Sequence, residues 1–132
     1  MEKRFNFPLA IIDAVNKVRK KYTRPDFIVG YRFSPEEPGA DGLTMKETLA
    51  LVDRLVEKPL QYIHISLWNF YKKVRRGGDQ NVTRMEAVHN RINGRVPFIG
   101  VGDLFAEENG VKAFKTRWAD FLTVGGSVEL NP

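Results

Sequence analysis

Helix-like and strand-like segments alternate strictly along this chain of 132 residues, and that alternation predicts an α/β fold of four parallel strands with outer helices. Two further observations support it. The strand candidates are short apolar runs without clean period-two alternation, as expected when both faces of a sheet are covered. A helix between each pair of strands also makes every connection a crossover, and crossovers join parallel neighbours. No linker or low-complexity stretch breaks the pattern, so residues 1–132 are read as one domain.

The first element is an amphipathic helix from Pro8 to Lys21. Proline suits the first turn, Leu9, Ile12, Val15 and Val18 recur at helical spacing, and Lys17, Arg19, Lys20 and Lys21 gather where the dipole favours cations. The first strand, Phe27 to Phe33, is rich in β-branched and aromatic residues between Pro25-Asp26 and Ser34-Pro35. A loop with Pro38, Gly39 and Gly42 leads to Thr44-Met-Lys-Glu47, a capping box, and Leu49, Val52, Leu55 and Val56 carry that helix to Lys58-Pro59. Tyr62 to Leu67 is the second strand. After the polar loop Lys72 to Gly78, a second capping box at Thr83 and Glu86 opens a helix that Asn93-Gly94 should stop in a left-handed turn. Val96 to Val101 is the third strand, with Pro97 tolerated near its start. A helix from about Ala106 to Thr116 and a strand from Asp120 to Val124, ending on Gly125-Gly126, complete the pattern. The chain thus begins on a helix and stops on a strand.

The composition, 42% hydrophobic and 28% charged, is ordinary for a water-soluble domain. No apolar run approaches the roughly 20 residues of a membrane-spanning helix, and Met1-Glu2-Lys3-Arg4 does not open a secretory signal, so no membrane partner is expected. The absence of cysteine excludes disulfides and thiolate metal sites and fits a cytoplasmic protein. A net charge of +5 and a pI near 9.6 favour anionic partners, either phosphate-bearing cofactors or nucleic acid.

Parallel α/β folds place their chemistry at the C-terminal ends of the strands. Those ends carry Arg32 with Ser34, Ser66 with Trp68 and Asn69, Gly100 with Gly102 and Asp103, and Gly125 with Gly126. An arginine there is either an anion-binding group or the partner of a helix carboxylate. Glycines at two neighbouring strand ends let amides approach a phosphate, or simply make tight turns. His64, between Ile63 and Ile65, reads more naturally as a strand histidine than as a catalyst, and His89 as a solvated helix residue. Two isolated histidines make no metal site. The basic loop of Lys72, Lys73, Arg75 and Arg76 reads as solvated surface, although it could meet a dinucleotide phosphate or nucleic acid. Trp68, Phe70 and Tyr71 could stack bases or pack the mouth of a barrel.

Val29-Gly-Tyr-Arg-Phe-Ser-Pro35, then Gly42-Leu-Thr-Met-Lys-Glu-Thr48 and Tyr62-Ile-His-Ile-Ser66, resemble the fifth strand, following helix and sixth strand of the old yellow enzyme family of NADH:flavin oxidoreductases. Glu2-Lys-Arg-Phe-Asn-Phe-Pro-Leu9 is similar to the entry to that family's fourth helix. Pro97-Phe-Ile-Gly-Val-Gly102 resembles its seventh strand and Ala119-Asp-Phe-Leu-Thr-Val-Gly125 its eighth. The resemblance covers essentially the whole chain.

It implies half of a (β/α)8 TIM barrel, the C-terminal half, and FMN as cofactor with NADH or NADPH as reductant. Arg32 would lie beside the flavin's N1 and C2 carbonyl, and Gly102, Gly125 and Gly126 would hold the phosphate through their backbone. The hydride would pass from flavin N5 to a small-molecule acceptor, commonly an electron-poor alkene; no nucleic acid is involved. Two departures stand out. The family's Gly-Arg after the eighth strand is Gly125-Gly126 here, and no residue matches its substrate-binding His pair or its Tyr acid, which belong to the N-terminal half. The eighth helix is also missing. The chain is therefore expected to be a fragment, to carry no catalytic residue of its own, and to associate as a homodimer or with an N-terminal half-barrel. The other reading is a non-catalytic, self-associating half-barrel that binds phosphate or nothing. In either case the sheet's inner face is expected to expose apolar side chains from all four strands.

Overall fold

A computed structural model describes residues 2–124. Gly125 and Gly126 lie outside the described residues. In order, the elements are α1 (Glu2–Lys21), β1 (Gly30–Phe33), α2 (Met45–Leu55), β2 (Tyr62–Ile65), α3 (Arg84–Ile92), β3 (Phe98–Val101), α4 (Glu107–Thr116) and β4 (Phe121–Thr123). The strands form one sheet, every pairing is parallel, and the spatial order β1-β2-β3-β4 follows the chain. An order that never reverses is the arrangement of a barrel wall, and the fold is half of a TIM barrel.

Burial alternates along the central strands. Ile63, Ile65 and Phe98 are at most 1% exposed and meet Val52, Leu55, Met85, Val88 and Ile92 from α2 and α3 in a single core, whereas His64 and Ile99 are only half-buried. The helices thus cover one face of the sheet. The other face carries Arg32, Tyr62, His64, Ser66, Ile99, Val101, Phe121 and Thr123, alternate residues that point away from the core. The expected apolar inner face holds for β2, β3 and β4, through Tyr62, Ile99, Val101 and Phe121, but β1 contributes Arg32 instead, and His64, Ser66 and Thr123 make the face mixed. Further exposed apolar groups gather at the two edges. Phe7, Ile11 and Val18 of α1 with Phe27 and Ile28 lie toward the β1 edge, and Val111, Phe114 and Val124 toward the β4 edge.

Several element boundaries depart from the sequence expectation, among them β2, which stops at Ile65 rather than Leu67, and β3, which starts at Phe98 rather than Val96. The first helix starts six residues earlier and takes Pro8 into its interior. Phe5, Leu9 and Ile12 are buried on one face, and that packing outweighs the backbone bond lost at the proline. β1 begins at Gly30 because the residue before it is already paired off. Val29 N–H donates to Gln61 Oε1 (2.6 Å), Gln61 N–H donates to Val29 O (2.8 Å), and Arg19 donates to the Phe27 carbonyl at 3.2 Å. β4 is shorter than Asp120–Val124, and Asp120 acts as its anchor: its N–H donates to Phe98 O and its carboxylate accepts from Phe98 N–H, both at 2.8 Å.

Other local signals act as expected. The Glu47 carboxylate accepts from Thr44 N–H at 3.0 Å at the start of α2, and Thr83 Oγ1 accepts from Glu86 N–H at 3.1 Å at the start of α3. Asn93 and Gly94, with φ of 51° and 72°, end α3 in the left-handed region.

Candidate active site

The strand ends converge on a mouth built from two loops, residues 34–44 after β1 and residues 66–83 after β2. A buried carboxylate joins them. Glu36, whose side chain is 3% exposed, accepts from Arg75 N–H and Arg76 N–H at 2.9 Å each and pairs with Arg84 Nε at 2.6 Å. From the other side Arg76 donates to the carbonyls of Ala40 (3.0 Å), Glu37 and Gly42 (3.3 Å each), while its own carbonyl accepts from Met45 N–H. The second loop is also tied to itself through Val74 N–H to Val82 O, Arg84 N–H to Lys72 O and an antiparallel bridge between Lys73 and Thr83. Backbone and ionic bonds therefore fix both loops to the barrel wall.

Arg32 lies on the inner face at the end of β1 and is exposed. Its Nη2 donates to Ser66 Oγ (3.2 Å), just past the end of the neighbouring strand, and no carboxylate among the described residues pairs with it. Of the two readings of this arginine, the ion pair to a helix carboxylate is absent from the described structure. His64 is the register partner of Arg32 on β2, and its Nε2 lies 3.5 Å from Thr123 Oγ1 of β4. Burial, and secondarily the Arg32 charge, hold the imidazole below its ordinary pKa. The histidine is thus biased toward its neutral form beside a fixed cation. The Tyr62 ring covers Gly30, so a Cβ at this strand position would have to push the ring aside.

The glycines after β3 have immediate packing reasons. A Cβ on Gly100 would meet Met85 at 2.7 Å and Phe70 at 3.0 Å on the helix side. Gly102, at φ +133°, brings the backbone so close to the β2–α3 loop that a Cβ would sit 2.5 Å from Phe70 N, which donates to Gly102 O. Asp103 follows with φ 48°, a left-handed conformation that few side chains adopt readily. The backbone after β3 is therefore held in one tight turn.

The aromatic run divides into separate roles. Phe70 is fully buried and stacks on Trp118 with centroids 6.1 Å apart, and Tyr71 meets both rings edge-on. These two pack the barrel mouth. Trp68 alone points into solvent, 96% exposed. The basic loop divides as well. Arg76 is a structural staple rather than solvated surface, whereas Lys72 and Arg75 line an open cavity. Sequence reasoning missed Glu36 and Arg84, since nothing in their neighbours distinguishes them from surface charges.

Comparison with known proteins gives a consistent result. The family model described as "NADH:flavin oxidoreductase / NADH oxidase family" matches residues 1–129. The chain is 47% identical over 131 residues to the "Probable NADH-dependent flavin oxidoreductase YqiG" of Bacillus subtilis (strain 168), covering 99% of this chain and 35% of that protein. It is 30% identical over 135 residues to the NADH:acrylate oxidoreductase of Vibrio harveyi, covering all of this chain and 13% of that one. With the NADH:fumarate oxidoreductase of Klebsiella pneumoniae (strain 342) it shares 38% identity over 66 residues, half of this chain and 7% of that protein. The chain thus spans about a third or less of the relatives it matches.

Proposed function

The chain belongs to the NADH:flavin oxidoreductase / NADH oxidase family, and on that premise we propose that it is the FMN-binding C-terminal half-barrel of an NAD(P)H-dependent flavin oxidoreductase that reduces a small-molecule acceptor, working in the cytoplasm. The observation that carries this reading is Arg32, a guanidinium without a carboxylate partner among the described residues, held by Ser66 on the inner face of the mouth. Bound FMN would supply the centre that accepts and returns a hydride. Arg32 would hold a positive charge where the reduced flavin ring accumulates negative charge, and Ser66 keeps its fork in place. The residues present fit the ring end of FMN, because the guanidinium is exposed on the face that the core leaves open. For the phosphate end, the tight turn at Gly102 offers backbone rather than side chain, and Gly125 and Gly126 are proposed to complete the cradle. No residue here matches the family's catalytic acid, so the chain alone is expected to lack ene-reductase turnover.

The two apolar edges support association. They are the surfaces that the rest of a barrel, whether an N-terminal half or a second copy, would cover, and the open edges of β1 and β4 would gain strand partners there. Sedimentation equilibrium at micromolar concentration tests this. A single 15.1 kDa species that unfolds cooperatively and binds no hydrophobic dye would overturn the half-barrel association.

Cofactor retention on purification, followed by titration with FMN and riboflavin, tests the flavin reading. FMN should bind more tightly than riboflavin. Gly126→Arg, which restores the family's arginine, should widen that gap by about 1.5–3 kcal/mol through a charge-assisted phosphate bond. Equal affinity for both flavins in both forms would remove the phosphate site.

A further inference from the structure

Beyond the C-terminal ends of β1 and β2 lies a cavity of about 820 Å3, within the range of small-ligand sites. The Arg84–Glu36 pair lines its interior, Ser34 and Pro35 lie on the β1 side, and Ser66 to Asn69 with Lys72 and Arg75 lie on the β2 side. Its lining is net positive, with Arg32, Lys72, Arg75 and Arg84 against Glu36 and Glu37. Arg32, Lys72 and Arg75 have no carboxylate partner among the described residues, and Glu36 is already occupied by Arg84 and two backbone amides. The other lining carboxylate, Glu37, accepts from Leu43 N–H.

The same cavity is lined by the fully exposed Trp68. An indole with water on its ring face gives up the burial that normally makes tryptophan worth its size. Lining the same cavity as the cations, it is a platform for a flat base whose attached phosphates the cations can hold. The platform and the cations sit on a loop that is already fixed, since Arg75 N–H is held by Glu36 and the Lys72 carbonyl by Arg84 N–H. A ligand would meet groups in place rather than order a loose segment.

We propose that this cavity binds a nucleoside diphosphate, with the base stacked on Trp68 and the phosphates between Lys72 and Arg75. For the ligand's identity the inference rests on the function proposed above. Arg32 belongs both to this cavity and to the flavin site, so the adenosine diphosphate arm of NADH or NADPH held here would leave its nicotinamide end directed at the flavin.

Calorimetric titration with ADP, adenosine and inorganic pyrophosphate, repeated on Trp68→Ala and on the double variant Lys72→Gln/Arg75→Gln, tests the assignment. Both sets lie on exposed positions, so folding is preserved. ADP should bind and be displaced by NADH. Trp68→Ala should weaken ADP on the order of tenfold and leave pyrophosphate unchanged. The double variant should weaken both. Absence of ADP binding at millimolar concentration overturns the proposal. So does pyrophosphate binding as tight as ADP with no effect of Trp68→Ala, which would mark a bare anion patch, or displacement of ADP by a lower concentration of single-stranded oligonucleotide, which would mark a nucleic-acid groove. A parallel FMN titration separates the two readings. Intact FMN binding without ADP binding rejects the cavity assignment alone, whereas ADP binding without FMN binding rejects the flavin site and keeps the cavity.

Discussion

The two faces of the sheet are made from alternate residues of the same four strands, and they serve opposite purposes. Toward the helices, Ile63, Ile65 and Phe98 are sealed in the core. On the other side, Arg32 reaches Ser66 and His64 reaches Thr123. Both Arg32 and His64 are flanked in sequence by core residues, Arg32 by Tyr31 and Phe33, His64 by Ile63 and Ile65. The strand thereby fixes a polar group by anchoring its neighbours on both sides. Stability and chemistry are separated by residue parity, and substitutions on the two faces should have different consequences.

The largest effect is expected from the helix face. Phe98→Ala should cost about 3–5 kcal/mol through lost burial and a residual cavity. Its neighbour Ile99→Ala, on the half-buried face, should cost only about 1–2 kcal/mol. Equal shifts in the urea midpoint for the two variants would break the parity argument. Next comes the loop clamp, where Arg84→Ala leaves the Glu36 carboxylate buried without its cation and should cost about 3 kcal/mol. A loss below about 1 kcal/mol would mean that the two loops are not joined through this pair.

Arg32→Ala should barely move the urea midpoint, because the side chain is exposed. In the complete enzyme it should weaken FMN by about 1.5–3 kcal/mol and lower the flavin's reduction potential. It should also raise the His64 pKa part of the way to its ordinary value near 6.5, with burial, the larger cause, still acting. The sign follows from the depressed native pKa. Below about pH 6.5 the unfolded chain binds the proton more readily, so stability falls as the pH drops, and Arg32→Ala should soften that fall. An NMR titration of the imidazole checks it, and an unchanged pKa would remove Arg32 as a cause. The smallest change belongs to the outer surface. Asp53 and Arg91 form a bidentate pair between α2 and α3, at 2.7 and 2.6 Å, that holds the Asp53 carboxyl below its usual range. Because both are substantially exposed, Asp53→Ala should cost less than about 1 kcal/mol, and less again in high salt.

How much of this was legible in the sequence depended on the reach of each interaction. Asn93-Gly94 and Thr83 with Glu86 announced themselves because turns and caps are set by residues within one helical turn of each other. Arg32 was visible as a charge ending an apolar strand. For Phe70 the sequence left base stacking and packing of the barrel mouth both open, since its partners Trp118 and Gly100 lie far along the chain. Pro8 misled the helix start because its local penalty is readable and the burial of Phe5 is not. Glu36 and Arg84 went unmarked for the same reason, as only the fold brings them together.

The manner in which Glu36 grips the second loop has a dynamic consequence. One carboxylate accepts from two successive amides, Arg75 and Arg76, that belong to another loop. Those N–H groups can reach solvent only if the carboxylate leaves them, and it cannot leave without also parting from Arg84. Hydrogen–deuterium exchange at the two amides should therefore be slow, occur together, and follow the opening of residues 34–44 rather than any fraying of their own segment. Segments distant in sequence would open as one unit, with a single side chain setting the rate at which the mouth loosens.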